Sequence, residues 1–224
     1  MNALQTPRPR DWDNFWNKGK DKDLAKASWS KKRIMAILDP LLAPGAHALD
    51  AGCGSGFFAN YFCEKEMQAF ALDYSDEALQ IAKQLTRGRA QIVQADLVGD
   101  RLAEKFPQGT SFDVIFSDGL LEHFPRERQQ KILRNFYGLL NPRGVLVTFV
   151  PNRWSPWELI RPLYMPGIDE KPFVLSELVS LNEECGFRVD RQGGINVLPL
   201  AWSPDAAAGG MFGMLLYTVG RKNV

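Results

Sequence analysis

The sequence predicts an α/β fold, a doubly wound, mostly parallel sheet of seven strands with helices on both faces. Three observations predict it. Short apolar runs alternate with amphipathic helical segments between residues 46 and 150, the pattern of strands joined by crossover helices. Four of those runs deliver an acid at or just past their ends: Asp50, Asp73, Asp96 and Asp118. The chain has 224 residues, which suits one α/β domain with an added lobe better than two independent domains.

The elements follow in order. The first ten residues, with Pro7 and Pro9, are expected to fray. Trp12, Phe15 and Trp16 recur at helical spacing and mark one face of a short helix. A second helix is expected over Asp23 to Leu38, ending before Pro40. Ala46 to Asp50 is the first strand, and Phe57 to Glu66 the helix after it. Gln68 to Leu72 is the second strand, and Ser75-Asp76-Glu77 starts the next helix. Gln91 to Gln94 and Phe112 to Phe116 are the third and fourth strands. Arg126 to Leu140 is a strong helix, with apolar pairs at Ile132/Leu133, Phe136/Tyr137 and Leu139/Leu140. Asn141-Pro142-Arg143-Gly144 reads as a turn into a fifth strand, Val145 to Val150. Pro151 to Pro172, rich in Pro and Trp, reads as an insertion. Ser176 to Cys185 is a helix stopped by Gly186, and Phe187 to Asp190 a strand. Gly193 to Gly210 reads as irregular, and Met214 to Val219 as the last strand.

The expected plan is thus one domain: residues 1–45 a helical cap, 46–150 the ligand-binding core, 151–175 and 193–212 cap insertions, 176–192 and 213–224 the completion of the sheet.

Composition narrows the function. A hydrophobic fraction of 45% and a charged fraction of 24% are ordinary for a globular chain. A net charge of +1 asks for no nucleic acid and no anionic membrane. Lys31-Lys32-Arg33 is the densest basic run and reads as a solvated face. Cys53, Cys63 and Cys185 have no CxxC spacing, so neither a disulfide framework nor a metal site is expected, and a cytoplasmic setting fits them. Cys63 and Cys185 read as core, and His47 as a surface residue. Neither a signal peptide nor a membrane-spanning run is expected.

The first strand runs into Asp50-Ala51-Gly52-Cys53-Gly54-Ser55-Gly56. Glycines there allow a tight turn and close approach of a ligand, and free N–H groups at a helix start favour an anionic group. A dinucleotide turn wants G-x-G-x-x-G, yet Phe57 holds the place of its third glycine. Asp73 stands close to the ~20-residue spacing of an acid that binds ribose hydroxyls. Ala95-Asp96-Leu97 closes the third strand. Phe112-Asp113-Val114-Ile115-Phe116-Ser117-Asp118 leads into Leu121-Glu122-His123-Phe124, and Leu140-Asn141-Pro142-Arg143-Gly144-Val145-Leu146 follows.

These five ordered elements resemble the motifs of class I S-adenosylmethionine (SAM)-dependent methyltransferases, in their type 11 and 25, small-molecule group. The resemblance implies a Rossmann-like sheet with a last antiparallel strand and SAM as cofactor. It implies that Asp50, Gly52, Cys53, Gly54 and Gly56 form the turn at the methionine end, with Cys53 there as packing. Asp73 and Tyr74 would lie at the ribose and Asp96 with Leu97 at the adenine, with Ser117 and Trp16 completing the site. Arg143 departs from the glycine that the family's turn carries there.

The expected activity is in-line methyl transfer to a small, hydrophobic or aromatic acceptor by a monomer or homodimer. A protein or RNA methyltransferase with the same core, and a non-catalytic SAM-binding module, are the alternatives. His123 is the candidate base, with Glu122 beside it, because an imidazole titrates near pH ~6.5; a brace for the following helix is the bland alternative. No Asn/Asp-Pro-Pro-aromatic tetrad follows the fourth strand; Ser117-Asp118-Gly119-Leu120 stands there instead, against amino-group methylation of nucleic acid. All six Trp lie outside residues 46–150. Trp12, Trp154 and Trp157 are candidate substrate residues in an aromatic cap, and Trp29 reads as packing.

Overall fold

A computed structural model describes residues 9–18, 24–99, 101–159 and 170–223. The helices are α1 (Pro9–Lys18), α2 (Trp29–Leu38), α3 (Phe57–Glu64), α4 (Asp76–Leu85), α5 (Arg126–Leu139), α6 (Leu175–Glu184) and α7 (Asp205–Phe212). The strands are β1 (His47–Ala51), β2 (Gln68–Asp73), β3 (Gln91–Gln94), β4 (Phe112–Asp118), β5 (Leu140–Pro151), β6 (Phe187–Ile195) and β7 (Leu215–Lys222). They form one sheet in the order β3-β2-β1-β4-β5-β7-β6. β7 is antiparallel to both its neighbours, and the pairs from β3 to β5 are parallel. The seven-stranded, mostly parallel sheet with its antiparallel last strand is therefore present. Its order reverses between β1 and β4, and sheets of this kind bind ligands at that point, beyond the strands' C-terminal ends.

Both faces of the sheet are buried, and strand alternation divides the core between them. Leu49, Phe70, Leu72 and Ile115 face one side, under Ile132, Leu133 and Phe136 of α5 and Leu178 and Leu181 of α6. Ala48, Ala69, Val114, Phe116, Val147 and Phe149 face the other, under Ile34 and Leu38 of α2 and Phe58 and Phe62 of α3. The small residues of β1 and β2 on that second side make room for the aromatic rings of α3.

Local chemistry moves some boundaries. Pro9 and Arg10, expected to fray, form the start of α1; a proline tolerates a first helical turn because its missing N–H has no partner there anyway. α2 begins at Trp29 because the Ser28 hydroxyl accepts the N–H of Lys31 at 3.2 Å. Leu24 to Ser28 lie outside the helix, and Asp23 lies outside the described residues. The expected turn at Asn141 to Gly144 is absorbed into β5. Leu140 pairs with Phe112, the register then shifts, and Arg143 takes a left-handed φ of 65°. The glycines read as irregular chain are packing positions: β6 continues to Ile195, and a Cβ on Gly194 would overlap the backbone of Gly209 in α7. His47 is half-buried rather than superficial; its Nδ1 lies 2.9 Å from the Ser111 carbonyl. Cys185 is buried and Cys63 half-buried. No described helix is long and apolar enough to cross a membrane.

Candidate functional site

A cavity of about 310 Å3 opens at the reversal of strand order. Its floor is the turn after β1. Gly52, Gly54 and Gly56 all have left-handed φ values, 71°, 49° and 73°, which only glycine adopts without strain. Asp50 ends β1 beside this floor, and its Oδ2 accepts the N–H of Ala59 at 2.9 Å, in the first turn of α3. Burial pushes the pKa of Asp50 well up, the Ala59 N–H pulls against that, and the charges of Asp118 and Asp73 add to it. Gly52, Cys53 and Gly54 line the cavity; burial also raises the Cys53 thiol well above its ordinary range, which leaves it a packing group.

One wall carries the acid at the end of β2. Asp73 is 8% exposed. Its Oδ2 accepts Gly54 N–H at 3.0 Å, and its Oδ1 accepts the N–H groups of Tyr74 and Ser75 at 2.8 and 3.0 Å. Burial raises its pKa, and those three donors oppose the rise. Each oxygen of a carboxylate has two acceptor sites, so with three of the four taken this fixed group keeps one, on Oδ2, for a ligand hydroxyl. Tyr74, Asp96 and Leu97 continue the wall. Asp96 is exposed and accepts Val98 N–H at 2.9 Å, while Leu97 is buried.

The opposite end is lined by Phe116, Asp118, Leu120, His123 and Phe124. Burial lifts the Asp118 carboxyl to about 7, against the pull of Lys31. His123 is 3% exposed in the short turn Leu121–His123, its ring edge-on to Trp12 at 4.9 Å. α1 forms the roof. Trp12, Phe15 and Trp16 all line the cavity, and a Cβ on Gly54 would overlap the Trp16 ring. The Ser75 hydroxyl donates to Asp13, tying α1 to the start of α4.

Eleven residues expected at the site line this cavity: Trp12, Trp16, Asp50, Gly52, Cys53, Gly54, Asp73, Tyr74, Asp96, Leu97 and His123. Five others do not. Ser117 lies between Phe116 and Asp118 on β4 and therefore faces the other side of the strand, 0% exposed. Gly56 serves packing, since a Cβ there would overlap Ala82 of α4. Glu122 is buried behind the lining, near Gly119. Trp154 is 63% exposed and Trp157 half-buried, both beyond the cavity wall. The irregular chain after β5 carries them outward instead of over the site.

Lys31 and the aromatic lining of α3 join the site without an expectation from sequence, and Asp118, expected only as one of four strand-end acids, lines it too. The run Lys31-Lys32-Arg33 is not one solvated face. Lys31 lines the cavity with its ammonium 3.8 Å from the Phe57 ring centre, Arg33 pairs with Asp205 at 2.9 Å, and Lys32 is the exposed member, over the Trp29 ring. The signal was available: Lys31 and Arg33 are separated from Lys32 by ~100° each on a helix, so one face cannot hold all three equally.

The residues present suit SAM. Gly52 and Gly54 line the cavity without side chains, Asp73 offers a held carboxylate, and Leu97 offers an apolar surface to a ring.

Comparison with known proteins agrees with this arrangement. Residues 49–148 match the family model described as a methyltransferase domain. The tRNA N(3)-methylcytidine methyltransferase trm140 of Schizosaccharomyces pombe is 27% identical over 154 residues, 65% of this chain and 50% of that one. A ubiquinone biosynthesis O-methyltransferase of Xanthomonas campestris is 33% identical over 125 residues, 54% of this chain and 49% of that one. The chain spans about half the length of these relatives. Among solved structures, a chain from the Haloferax volcanii complex of the Trm112 methyltransferase activator with a methyltransferase shares the fold with a TM-score of 0.75, at 20% identity, covering 96% of this chain and 98% of that one. The N-methyltransferase NodS of Bradyrhizobium japonicum, bound to S-adenosyl-l-homocysteine (SAH), gives 0.64 at 15% identity, covering 94% and 98%.

Proposed function

We propose, from the methyltransferase domain model matched over residues 49–148, that this chain is a class I SAM-dependent methyltransferase and that it methylates a small, flat, largely apolar acceptor held under α1. The observation that carries this reading is the apolar, aromatic end of the cavity, where Trp12, Phe15, Leu120 and Phe124 stand together beside His123 and Asp118. SAM, when bound, supplies an electrophilic methyl group on a sulfonium. The chain's own residues then bind and orient. Asp73 accepts a ribose hydroxyl on Oδ2, Asp96 and Leu97 hold the adenine, and Asp50 with Gly52 and Gly54 receives the methionine end. The aromatic end stacks a flat acceptor and keeps water out. Orientation of two reactants is worth up to ~7–11 kcal/mol, so positioning supplies most of the catalysis. An acceptor that is protonated at neutral pH gives its proton to His123 or to an Asp118 oxygen, both of which line that end.

The names of two relatives, trm140 and a Drosophila melanogaster Mettl2, favour a second reading in which the flat acceptor is a nucleobase of tRNA. The expectation of no nucleic-acid partner conflicts with those names. The near-neutral charge of this chain, +1, supports the small-molecule reading, because RNA binding draws on basic surface. One assay separates the two. The protein is incubated with methyl-labelled SAM and, in parallel, with total tRNA and with a small-molecule extract. Label in the small-molecule fraction is expected. Label in tRNA alone overturns the small-molecule reading, and SAM or SAH that fails to bind by calorimetry overturns the methyltransferase assignment.

A further inference from the structure

Cofactor binding leaves one constellation beside the cavity unexplained. Glu122 and His123 sit in the turn after β4, 1% and 3% exposed. Glu170 reaches them from beyond β5. The strap that carries it is fixed by backbone bonds: Lys171 N–H donates to the Glu122 carbonyl at 2.9 Å, Phe173 N–H to the Pro151 carbonyl at 2.9 Å, and Asn152 bridges Phe173. One donor atom from each of Glu122, His123 and Glu170 lies within 4.8 Å of the others. Glu122 is almost wholly buried, yet its Oε2 has no hydrogen-bond partner among the described residues. A buried carboxylate without a partner is costly unless a proton, a cation or a metal meets it.

We propose that Glu122, His123 and Glu170 bind a divalent cation whose open positions take an oxygen atom of the methyl acceptor. Three ligand atoms set tetrahedrally at ~2.0–2.2 Å from one ion lie ~3.3–3.6 Å apart, so atoms now within 4.8 Å of one another close on an ion with side-chain shifts of about 1 Å. One imidazole and two carboxylates suit Zn2+ or Mn2+ better than a thiol-seeking metal. Three protein ligands with open positions are the pattern of catalytic rather than structural sites. His123 also lines the cavity, which turns the open side of the ion toward the acceptor. The substrate class is then a hydroxyl, phenol or enol. Coordination weakens its O–H bond, the proton passes to an Asp118 carboxylate oxygen, and the electron pair stays on the oxygen at the metal. This use of the ion rests on the methyl-transfer reading, whereas the ion site itself does not.

The test uses the full chain, freed of metal by a chelator and titrated with Mn2+ alone, with the free ion followed by electron paramagnetic resonance. SAH binding is measured by calorimetry on the same preparations, and each melting curve is recorded. One Mn2+ per chain is expected, displaced by Zn2+. Glu170→Gln, at a half-buried position, and Glu122→Gln should each weaken Mn2+ by at least ~10–100-fold while still binding SAH. A wild-type chain that binds SAH but neither Mn2+ nor Zn2+ overturns the cation site and leaves the methyltransferase assignment standing. Equal Mn2+ affinity in wild type and both variants also overturns it. Mn2+ bound without SAH keeps the site and removes the methyl-transfer reading.

Discussion

At Asp118 a carboxylate leaves the end of β4 among apolar rings, and burial outweighs Lys31 to hold its pKa near 7. The folded chain therefore binds this proton more tightly than the unfolded chain, whose ordinary value is 3.8. Stability contributed by the protonated group is present at low pH and is lost as pH rises toward and through about 7. Asp118→Asn removes the loss. It should raise Tm at pH 8 by roughly 2–8 °C, from about 1–2 kcal/mol at this chain length, and change little at pH 4. An unchanged Tm difference between the two pH values would count against the shift. At Asp73 the concern is binding. Asp73→Asn removes an acceptor oxygen that also holds Gly54, and SAH affinity should fall at least ~10-fold by calorimetry. Gly54→Ala meets both a left-handed φ and the Trp16 ring, so it should lose at least ~1 kcal/mol of stability and some SAH affinity. At this scale much of the site was legible, because the glycine turn and the strand-end acids are set by chain order. Ser117 and Asp118 were not told apart, since which of two adjacent strand residues faces a ligand depends on register.

Each helix is placed by a few local groups, and these explain which elements a sequence reveals. α5 announces itself through apolar pairs at helical spacing, and the structure has it over Arg126–Leu139. α7 does not, because Asp205–Phe212 holds three alanines and two glycines; its glycines serve close contact with β6, a signal that reads locally as loop. The start of β5 is hidden for a related reason, since Asn141-Pro142-Arg143 has turn chemistry and only the sheet keeps it extended. α4 offers an element-scale test. Ser75 caps it by accepting Ala78 N–H at 3.2 Å and also donates to Asp13 on α1. Ser75→Ala should cost about 1 kcal/mol and, unlike an ordinary cap loss, speed hydrogen exchange in α1 as well as in α4. Phe116 of β4, 0% exposed, packs against Phe58, Phe62 and Phe149. Phe116→Ala should cost ~3–5 kcal/mol, readable as a lowered urea midpoint.

Over the whole molecule, α1 and the sheet enclose a volume near the lower limit of ~300–1,000 Å3 typical for a single small-molecule site. SAM and an acceptor together need more, so the expected outcome is that α1 shifts as the second molecule enters. Amide exchange in residues 9–18 should slow on addition of SAH while β1 and β4 stay unchanged; α1 exchange that ignores SAH would remove its role as roof. That α1 covers the site was legible in outline, from Trp12 and Trp16 at helical spacing, but its contacts, Trp12 with His123 and Trp16 with Gly54, join residues far apart in the chain and were not.

The sheet order also bears on how the protein is made. β6, on the edge, pairs with β7 alone, and β7 enters between it and β5. A nascent chain on the ribosome can pair β1 to β5 as they emerge, but β6 waits unpaired, and the apolar β5 keeps an open edge, until residues 215–222 are free. A ribosome stalled before Leu215 thus strands two strands rather than one. A chaperone that clasps apolar extended chain would find its target in that interval, on a segment that is no longer open once synthesis has passed it.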